Sequence, residues 1–430
     1  MNSKLLQPFL HGASGNVEIP GSKSITNRII LLAILSSSNL SIQHPLESED
    51  SILMAKAAES LGAKIIKKEK SWDIFPAKKI FFIEKQLEIF LGNSGTSMRF
   101  LSAACSFLAR GKIKLFGKSR MHERPTGELL TALQAIGIKI CSEKKIGFPP
   151  VLISANGEID GGKVKISGNI SSQFLSAIFL IAPKTKQGIE IEIIPPVVSF
   201  GYLEMTIKIL QKFGIKVSKI SKNIFFIPPG NFLLPKTFTI EPDASSAAHV
   251  FSLAVAAGGE ITIKNFPKNS LQPDVGFIKV LQKFGAKFSE NSGGTKISMS
   301  GKIRPLGEIN LEEMPDAALS AAVLAGIGKG KTKITGLQTL RKKECDRIAA
   351  LEKNFQTLGI SSRSGEDFLE IYGVEKQKIR PGKIETFDDH RIAMSFAAIG
   401  TVAAGIEIED PNCVEKTFPN FWEIFENCRQ

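Results

Sequence analysis

The chain has 430 residues, 43% of them hydrophobic and 23% charged, which is too much apolar material for one ordinary core and enough charge for a water-facing surface. No apolar run approaches the roughly 18 residues of a membrane span, the longest being residues 29–35 and 174–182, so insertion into a membrane is excluded as an expectation. A net charge of +13 calls for an acidic partner or a lysine-rich surface, and five scattered cysteines without C-x-x-C spacing suggest inert thiols rather than a disulfide framework or a zinc site.

In chain order, the first six residues lack a sustained apolar stretch of the kind that opens a signal peptide, and a cytoplasmic protein is expected. Pro20-Gly21-Ser22-Lys23-Ser24 then opens a predicted helix, with Arg28 about one turn further on. Cations at a helix start oppose the helix dipole unless an anion sits between them, so Lys23 and Arg28 read as anion ligands. The spacing is not that of a Walker A loop. Leu91-Gly92-Asn93-Ser94-Gly95 is a small-residue turn running into an apolar helix, with Arg99 one turn in. His122-Glu123-Arg124-Pro125 precedes another helix and offers Arg124 as a bidentate clamp. Ser171-Ser172-Gln173 places two hydroxyls and an amide at a third helix start. Ser199 and Tyr202 are expected just before an amphipathic helix. Asp316, after Met314-Pro315, is a good N-cap as well as a possible proton acceptor. Lys343 and Arg347 would share a helix face at i, i+4, where like charges repel unless a carboxylate or anion lies between them. Asp389-His390-Arg391 opens the last such helix, and Lys416 follows in the terminal segment.

These starts repeat. Positions 21, 92, 168, 243, 316 and 389 are 71–76 residues apart, and each begins an apolar helix after a polar or glycine-containing turn. A second marker runs in phase: Gly62, Gly137, Gly214, Gly285 and Gly359 each follow a helix and precede a β-type run. The chain therefore predicts six copies of one two-helix, several-strand unit, in an α/β or α+β architecture. Copies one to three begin with Gly/Ser turns and copies four to six with Asp, and the break falls at the Pro-rich segment 227–242. Two domains with helix N-termini directed into a cleft are the economical arrangement. One such terminus is worth roughly 0.3–1 kcal/mol to an exposed anion, whereas micromolar binding needs about 8 kcal/mol. Several helix ends, with Arg and Lys beside them, are required.

Taken together, Pro20-Gly21-Ser22-Lys23-Ser24 with Asn27-Arg28, Leu91–Arg99, Glu123-Arg124-Pro125 with Gly127, Ser171–Leu175, Pro315–Ala318, Lys343–Arg347, Asp389–Arg391 and Lys416–Pro419 resemble the 5-enolpyruvylshikimate-3-phosphate synthases, the 3-phosphoshikimate 1-carboxyvinyltransferases of aromatic amino-acid biosynthesis. The resemblance spans residues 17–420. It implies an inside-out α/β barrel of two domains, each built from three βαβαββ-type units. Residues 20–241 would form the first domain, on the shikimate 3-phosphate side; 1–19 with 242–430 would form the second, supplying the acid, the base and phosphoenolpyruvate contacts.

The implied reaction transfers the enolpyruvyl group of phosphoenolpyruvate to the 5-hydroxyl of shikimate 3-phosphate, in a cytoplasmic monomer with no metal or organic cofactor and no nucleic-acid or membrane partner. By the same resemblance Asp316 takes the hydroxyl proton and Glu344 protonates the methylene, with Lys23 and His390 in support. Lys23, Ser24, Arg28, Ser171, Ser172, Ser199, Tyr202, Asp316 and Lys343 would hold shikimate 3-phosphate. Lys23, Gly95, Arg124, Gln173, Arg347, Arg391 and Lys416 would hold phosphoenolpyruvate. Phe100, Thr339 and Phe200-Gly201 depart from the residues many members carry, which bears on substrate affinity and on glyphosate; because Gly95 is retained, glyphosate is expected to compete with phosphoenolpyruvate. Two rivals stand beside this reading: the sibling transferase acting on UDP-N-acetylglucosamine, whose mobile-loop Cys is missing from residues 116–127 here, and a basic nucleic-acid-binding protein.

Overall fold

The computed structural model describes residues 3–266 and 269–429, and strands and helices alternate throughout them. The helices are α1 (Lys23–Leu35), α2 (Glu49–Ser60), α3 (Gly95–Leu108), α4 (Gly127–Ala135), α5 (Ser172–Ile181), α6 (Phe200–Lys212), α7 (Ala244–Ala257), α8 (Phe277–Phe284), α9 (Ala318–Ile327), α10 (Arg347–Thr357), α11 (His390–Gly400) and α12 (Phe421–Asn427). Odd-numbered helices begin at the six repeated starts. Even-numbered helices α2, α4, α6, α8 and α10 end at the five repeated glycines, whose φ angles of 91°, 96°, 78°, 111° and 74° lie in the left-handed region that lets a helix stop without a Cβ penalty.

The two helix sets differ because their sequences differ. The odd-numbered helices are mostly apolar, and α3, α7, α9 and α11 are rich in Ala and Ser, so they belong inside: α9 and α11 are buried along their whole length, and α3 nearly so. The others carry a polar face; α10, for example, buries Ile348, Leu351 and Phe355 while Ala349 and Thr357 face outward.

The strands form six small open sheets. Five repeat one plan, in which a parallel pair is extended by an antiparallel hairpin, and in three of them the parallel strands are joined through a buried helix. Gly162–Ser167, for instance, pairs in parallel with Ile189–Ile194, which pairs antiparallel with Ile224–Ile227. Burial alternates along Ile189–Ile194, so one face meets the helices and the other meets water. Helices inside and sheets outside make this the inside-out arrangement, with separate ladders rather than one closed ring of strands.

Two compact units result: Gly21–Glu241, and Met1–Pro20 together with Pro242–Gln430. Each contains three of the six sheets. The chain crosses between units twice, and strand pairing shows why the crossings fall where they do. Ala13–Val17 pairs in parallel with Gly259–Ile263, and Ser3–Leu5 pairs antiparallel with Ile406–Glu409, so the N-terminal strands complete sheets of the later repeats. Thr237–Thr239 returns to pair with Leu40–Gln43 and completes the first. Inside Gly21–Glu241, α1, α3 and α5 pack on one another; in the other unit α7, α9 and α11 do. Each fully enclosed Leu, Ile, Val or Phe in these triplets stabilises the fold by about 1.5–3 kcal/mol. Cys105, Cys345, Cys413 and Cys428 are buried, and burial pushes all four thiols up, Cys105 and Cys428 to about 12, whereas Cys141 is exposed.

Candidate active site

In Gly21–Glu241 the charged groups gather at the N-terminal ends of the buried helices. Lys23 is the first residue of α1, capped by Ser22, and its ammonium lies 3.4 Å from Asp50 Oδ2. Arg28, one turn on and 2% exposed, donates from Nε to Thr206 Oγ1 (2.8 Å), from Nη2 to Ser176 Oγ (3.0 Å) and Tyr202 O (3.4 Å), and from Nη1 to Ser24 O (2.9 Å). The Phe100 ring centroid lies 5.2 Å from its guanidinium carbon. All of these partners are neutral, and among the described residues no carboxylate comes within 4.0 Å of Arg28. Burial accordingly lowers its pKa to about 9, so it stays charged at neutral pH. A buried cation without a counter-charge is unfavourable by several kcal/mol, and a bound anion would remove that penalty.

A second pair of arginines meets at Gly95, the first residue of α3. A Cβ there would lie 2.5 Å from both Arg99 Nη1 and Arg124 Nη2, so glycine is what lets the two guanidinium groups close over this helix start. Arg124 is held by Asn93 O (2.9 Å) and Oδ1 (3.2 Å), and Arg99 by Pro125 O (3.2 Å). Both are at least 96% buried. Gln173, in the first turn of α5, donates to Thr96 Oγ1 (3.2 Å), which ties the starts of α3 and α5 together, while Ser171 caps α5. Ser172 is buried beside it. Ser199 caps α6 from the left-handed region (φ 52°), a conformation that disfavours a residue with a side chain and has to be imposed by its surroundings.

The unit containing Pro242–Gln430 gathers both signs. Arg347, 1% exposed at the first position of α10, donates to Asp389 Oδ2 (2.7 Å) and Oδ1 (3.2 Å), Asp316 Oδ1 (2.9 Å) and Glu344 Oε2 (3.2 Å). Burial alone would lower its pKa, but the charges of Asp389, Glu344 and Asp316 win and hold it well above the usual arginine value. Asp316 Oδ2 also takes Arg391 Nη2 (3.1 Å), and Lys343 approaches its Oδ1 at 3.6 Å. Glu344 Oε1 lies 3.4 Å from Lys416 Nζ. Asp389 caps α11 through the Arg391 amide (2.9 Å), and His390, fully buried, has Nδ1 3.7 Å from Asp389 Oδ1. Among the described contacts, four cations thus share three carboxyl groups in a mostly buried cluster.

Local details differ from the sequence reading. Asp316 is not an N-cap: α9 begins at Ala318 behind Ala317, and the Asp316 carboxylate goes to three cations, which reward it more than one backbone amide would. Lys343 and Arg347 do not share a helix, since Asp346 caps α10 between them and leaves Lys343 at the end of a 3₁₀ turn; the carboxylate between the two charges is Asp316. Tyr202 lies inside the first turn of α6 rather than before it. Arg99, Asp389 and His249 carry contacts to these clusters that the sequence did not assign. Arg99 was visible as a cation one turn into a helix; Asp389 was visible only as the polar start of the last repeated helix; His249 lay in an Ala-rich apolar run.

The chain matches the family model of EPSP synthase (3-phosphoshikimate 1-carboxyvinyltransferase) over residues 11–425. It is 36% identical to the 3-phosphoshikimate 1-carboxyvinyltransferase of Sulfurovum sp., covering 99% of both chains, and 37% identical to the chloroplastic enzyme of Petunia hybrida, covering 98% of this chain and 84% of that one. Its fold superposes on the EPSP synthase of Acinetobacter baumannii with a TM-score of 0.78 at 25% identity, over 99% of this chain and 98% of that one.

Proposed function

The chain belongs to the EPSP synthase family, and on that premise we propose how its residues divide the work of the reaction. The enzyme transfers the enolpyruvyl group of phosphoenolpyruvate to the 5-hydroxyl of shikimate 3-phosphate and releases phosphate. Protonation of the methylene carbon makes C2 of phosphoenolpyruvate electrophilic. The hydroxyl oxygen bonds to C2 as its proton leaves, and the C2–O bond to phosphate then breaks as a methyl proton is lost.

Within Gly21–Glu241, Lys23, Ser24, Arg28, Ser171, Ser172, Ser199 and Tyr202 hold shikimate 3-phosphate, and Lys23, Gly95, Arg124 and Gln173 hold phosphoenolpyruvate. In the other unit Asp316 accepts the 5-hydroxyl proton and, with Lys343, orients the shikimate ring. Glu344 donates to the methylene, with Lys23 and His390 in support. Arg347, Arg391 and Lys416 bind phosphoenolpyruvate and stabilise charge as it develops. The observation that carries this reading is the Asp316 carboxylate itself, partly open to solvent and gripped by Lys343, Arg347 and Arg391: a fixed acceptor in a cationic surround.

The enzyme acts as a cytoplasmic monomer, which sedimentation and cell fractionation check; among the described residues no helix is long and apolar enough to cross a membrane. Glyphosate competes with phosphoenolpyruvate at Gly95, and inhibition only at millimolar concentrations would count against this. Phosphate release from phosphoenolpyruvate, measured with and without shikimate 3-phosphate, tests the reaction; release driven by UDP-N-acetylglucosamine instead would overturn it. Near-normal turnover in both Asp316→Asn and Glu344→Gln would overturn the assignment of acid and base.

A further inference from the structure

His249 is the one strongly polar side chain in the body of α7, whose sequence from Ala244 to Ala257 otherwise offers only small, hydroxyl and apolar residues. Its imidazole is fully buried, and each ring nitrogen has a partner. Nδ1 lies 2.8 Å from Ser320 Oγ on α9 and 3.4 Å from Ser395 Oγ on α11. Nε2 lies 3.4 Å from Nη1 of Arg391, in the first turn of α11. A guanidinium has donors only. Nε2 must therefore carry the lone pair, and the ring proton sits on Nδ1, directed at Ser320 Oγ. The contact also requires a neutral ring. Burial above all, and then the charges of Arg391 and Arg347, oppose protonation and hold the pKa well below the usual value, while Asp316 favours it.

We propose that His249 is a positioning residue for Arg391, a neutral acceptor that fixes the guanidinium without cancelling its charge. Arg391 is then held on one side by the Asp316 carboxylate at 3.1 Å and on the other by an uncharged nitrogen. A carboxylate in place of the imidazole would neutralise the positive charge, and an apolar side chain would leave an N–H of Arg391 without this acceptor and its rotamer less restricted. The tautomer completes the arrangement, because Ser320 anchors the ring from the far side. The proposal rests on the reading of Arg391 as a phosphoenolpyruvate ligand.

Steady-state kinetics of the full chain separate the two. Removing the acceptor in His249→Leu is expected to raise KM for phosphoenolpyruvate about tenfold, the worth of one charge-assisted hydrogen bond, while KM for shikimate 3-phosphate stays within about twofold. His249→Gln, which returns an acceptor at the same reach, is expected to recover most of the loss. In an Arg391→Lys background, His249→Leu has no further effect. If Arg391→Lys leaves KM for phosphoenolpyruvate unchanged, the reading of Arg391 fails. If Arg391→Lys raises it and His249→Leu does not, His249 has no positioning role. Nitrogen-15 spectra of histidine-labelled wild-type enzyme give a check independent of whether any variant folds: a neutral ring protonated at Nδ1 is expected, and a ring protonated at Nε2 would overturn the proposal.

Discussion

Arg347 opens α10 and Arg28 lies one turn into α1; both arginines are buried, and their surroundings are opposite. Arg28 has four neutral oxygen acceptors and a Phe100 ring, and burial lowers its pKa to about 9. Arg347 has three carboxylates, which outweigh an equally complete burial. The difference maps onto what each region has to do. A site that only grips a phosphorylated substrate gains from a cation kept short of counter-charge, since the ligand then supplies it. A region that moves protons needs carboxylates held in place, and those carboxylates need cations. On the proposed division of roles, Gly21–Glu241 trades stability for affinity, and in the other unit the same type of side chain organises the proposed acid and base.

The largest effect is expected from making Arg347 resemble Arg28. Asp389→Ala removes its shortest partner and the cap of α11, and should destabilise the protein by about 3–5 kcal/mol, as measured by urea denaturation. Asp389→Asn keeps the cap and should recover about 1 kcal/mol of that. Equal losses in both variants would assign the whole effect to the lost charge and none to the cap, whereas a loss below about 1 kcal/mol in Asp389→Asn would mean that charge pairing is not what Arg347 depends on.

The converse change is Arg28→Met. With the charge gone and the volume kept, the substrate-free protein should become more stable by about 1–4 kcal/mol, because Thr206 and Ser176 remain hydrogen-bonded to each other at 2.9 Å. KM for shikimate 3-phosphate should rise at least about a hundredfold, the worth of a charge-assisted contact in a buried site. A variant that is both less stable and poorly active would show that the guanidinium is structural.

How much of this was legible in the sequence depends on whether the signal was local. The sixfold repeat was readable because apolar helices, polar starts and C′ glycines are written within one or two turns of where they act; Gly62 and Gly137 stop α2 and α4 with residues in their own neighbourhood. Lys23 and Arg28 stood out for a similar reason, since cations are locally unfavourable at helix starts. What could not be read were the pairings. Nothing near Ala13–Val17 says that it completes a sheet with Gly259–Ile263, and nothing near Asp316 says that Arg347 and Arg391 will outbid the α9 amides for its carboxylate. His249 was hidden because its meaning lies on α9 and α11, not on α7.

Acid pH probes His249, a neutral member of the paired region. His249 keeps a folded pKa well below the ordinary value, whereas in the unfolded chain it titrates near 6.5. The unfolded state therefore binds the proton first: the stability that His249 contributes is fully present above about pH 6.5 and is lost as pH falls toward the folded pKa, by up to about 1.4 kcal/mol per pH unit. Between pH 7 and pH 5.5, wild type should lose about 1 kcal/mol more than His249→Gln in parallel urea titrations. Parallel pH profiles would place the acid sensitivity elsewhere.

The smallest effect tests whether Phe100 belongs to the Arg28 environment or only fills space beside it. The ring is fully buried within α3, and its centroid lies 5.2 Å from the guanidinium carbon, within the range where a desolvated cation is attracted to a π face by about 0.5–2 kcal/mol. Phe100→Leu removes that attraction and some packing together, so its stability loss alone decides nothing. The same substitution in an Arg28→Met background separates the two, because only the packing loss survives there. A coupling of about 0.5–1.5 kcal/mol between the two sites is expected from the double-mutant cycle, with the Leu variant less costly once the charge is gone. That result would make Phe100 part of how this chain tolerates an uncompensated guanidinium while no substrate is bound. A coupling of zero would leave Arg28 to its four oxygen acceptors alone, and would make the departure at position 100 a matter of packing between α1 and α3.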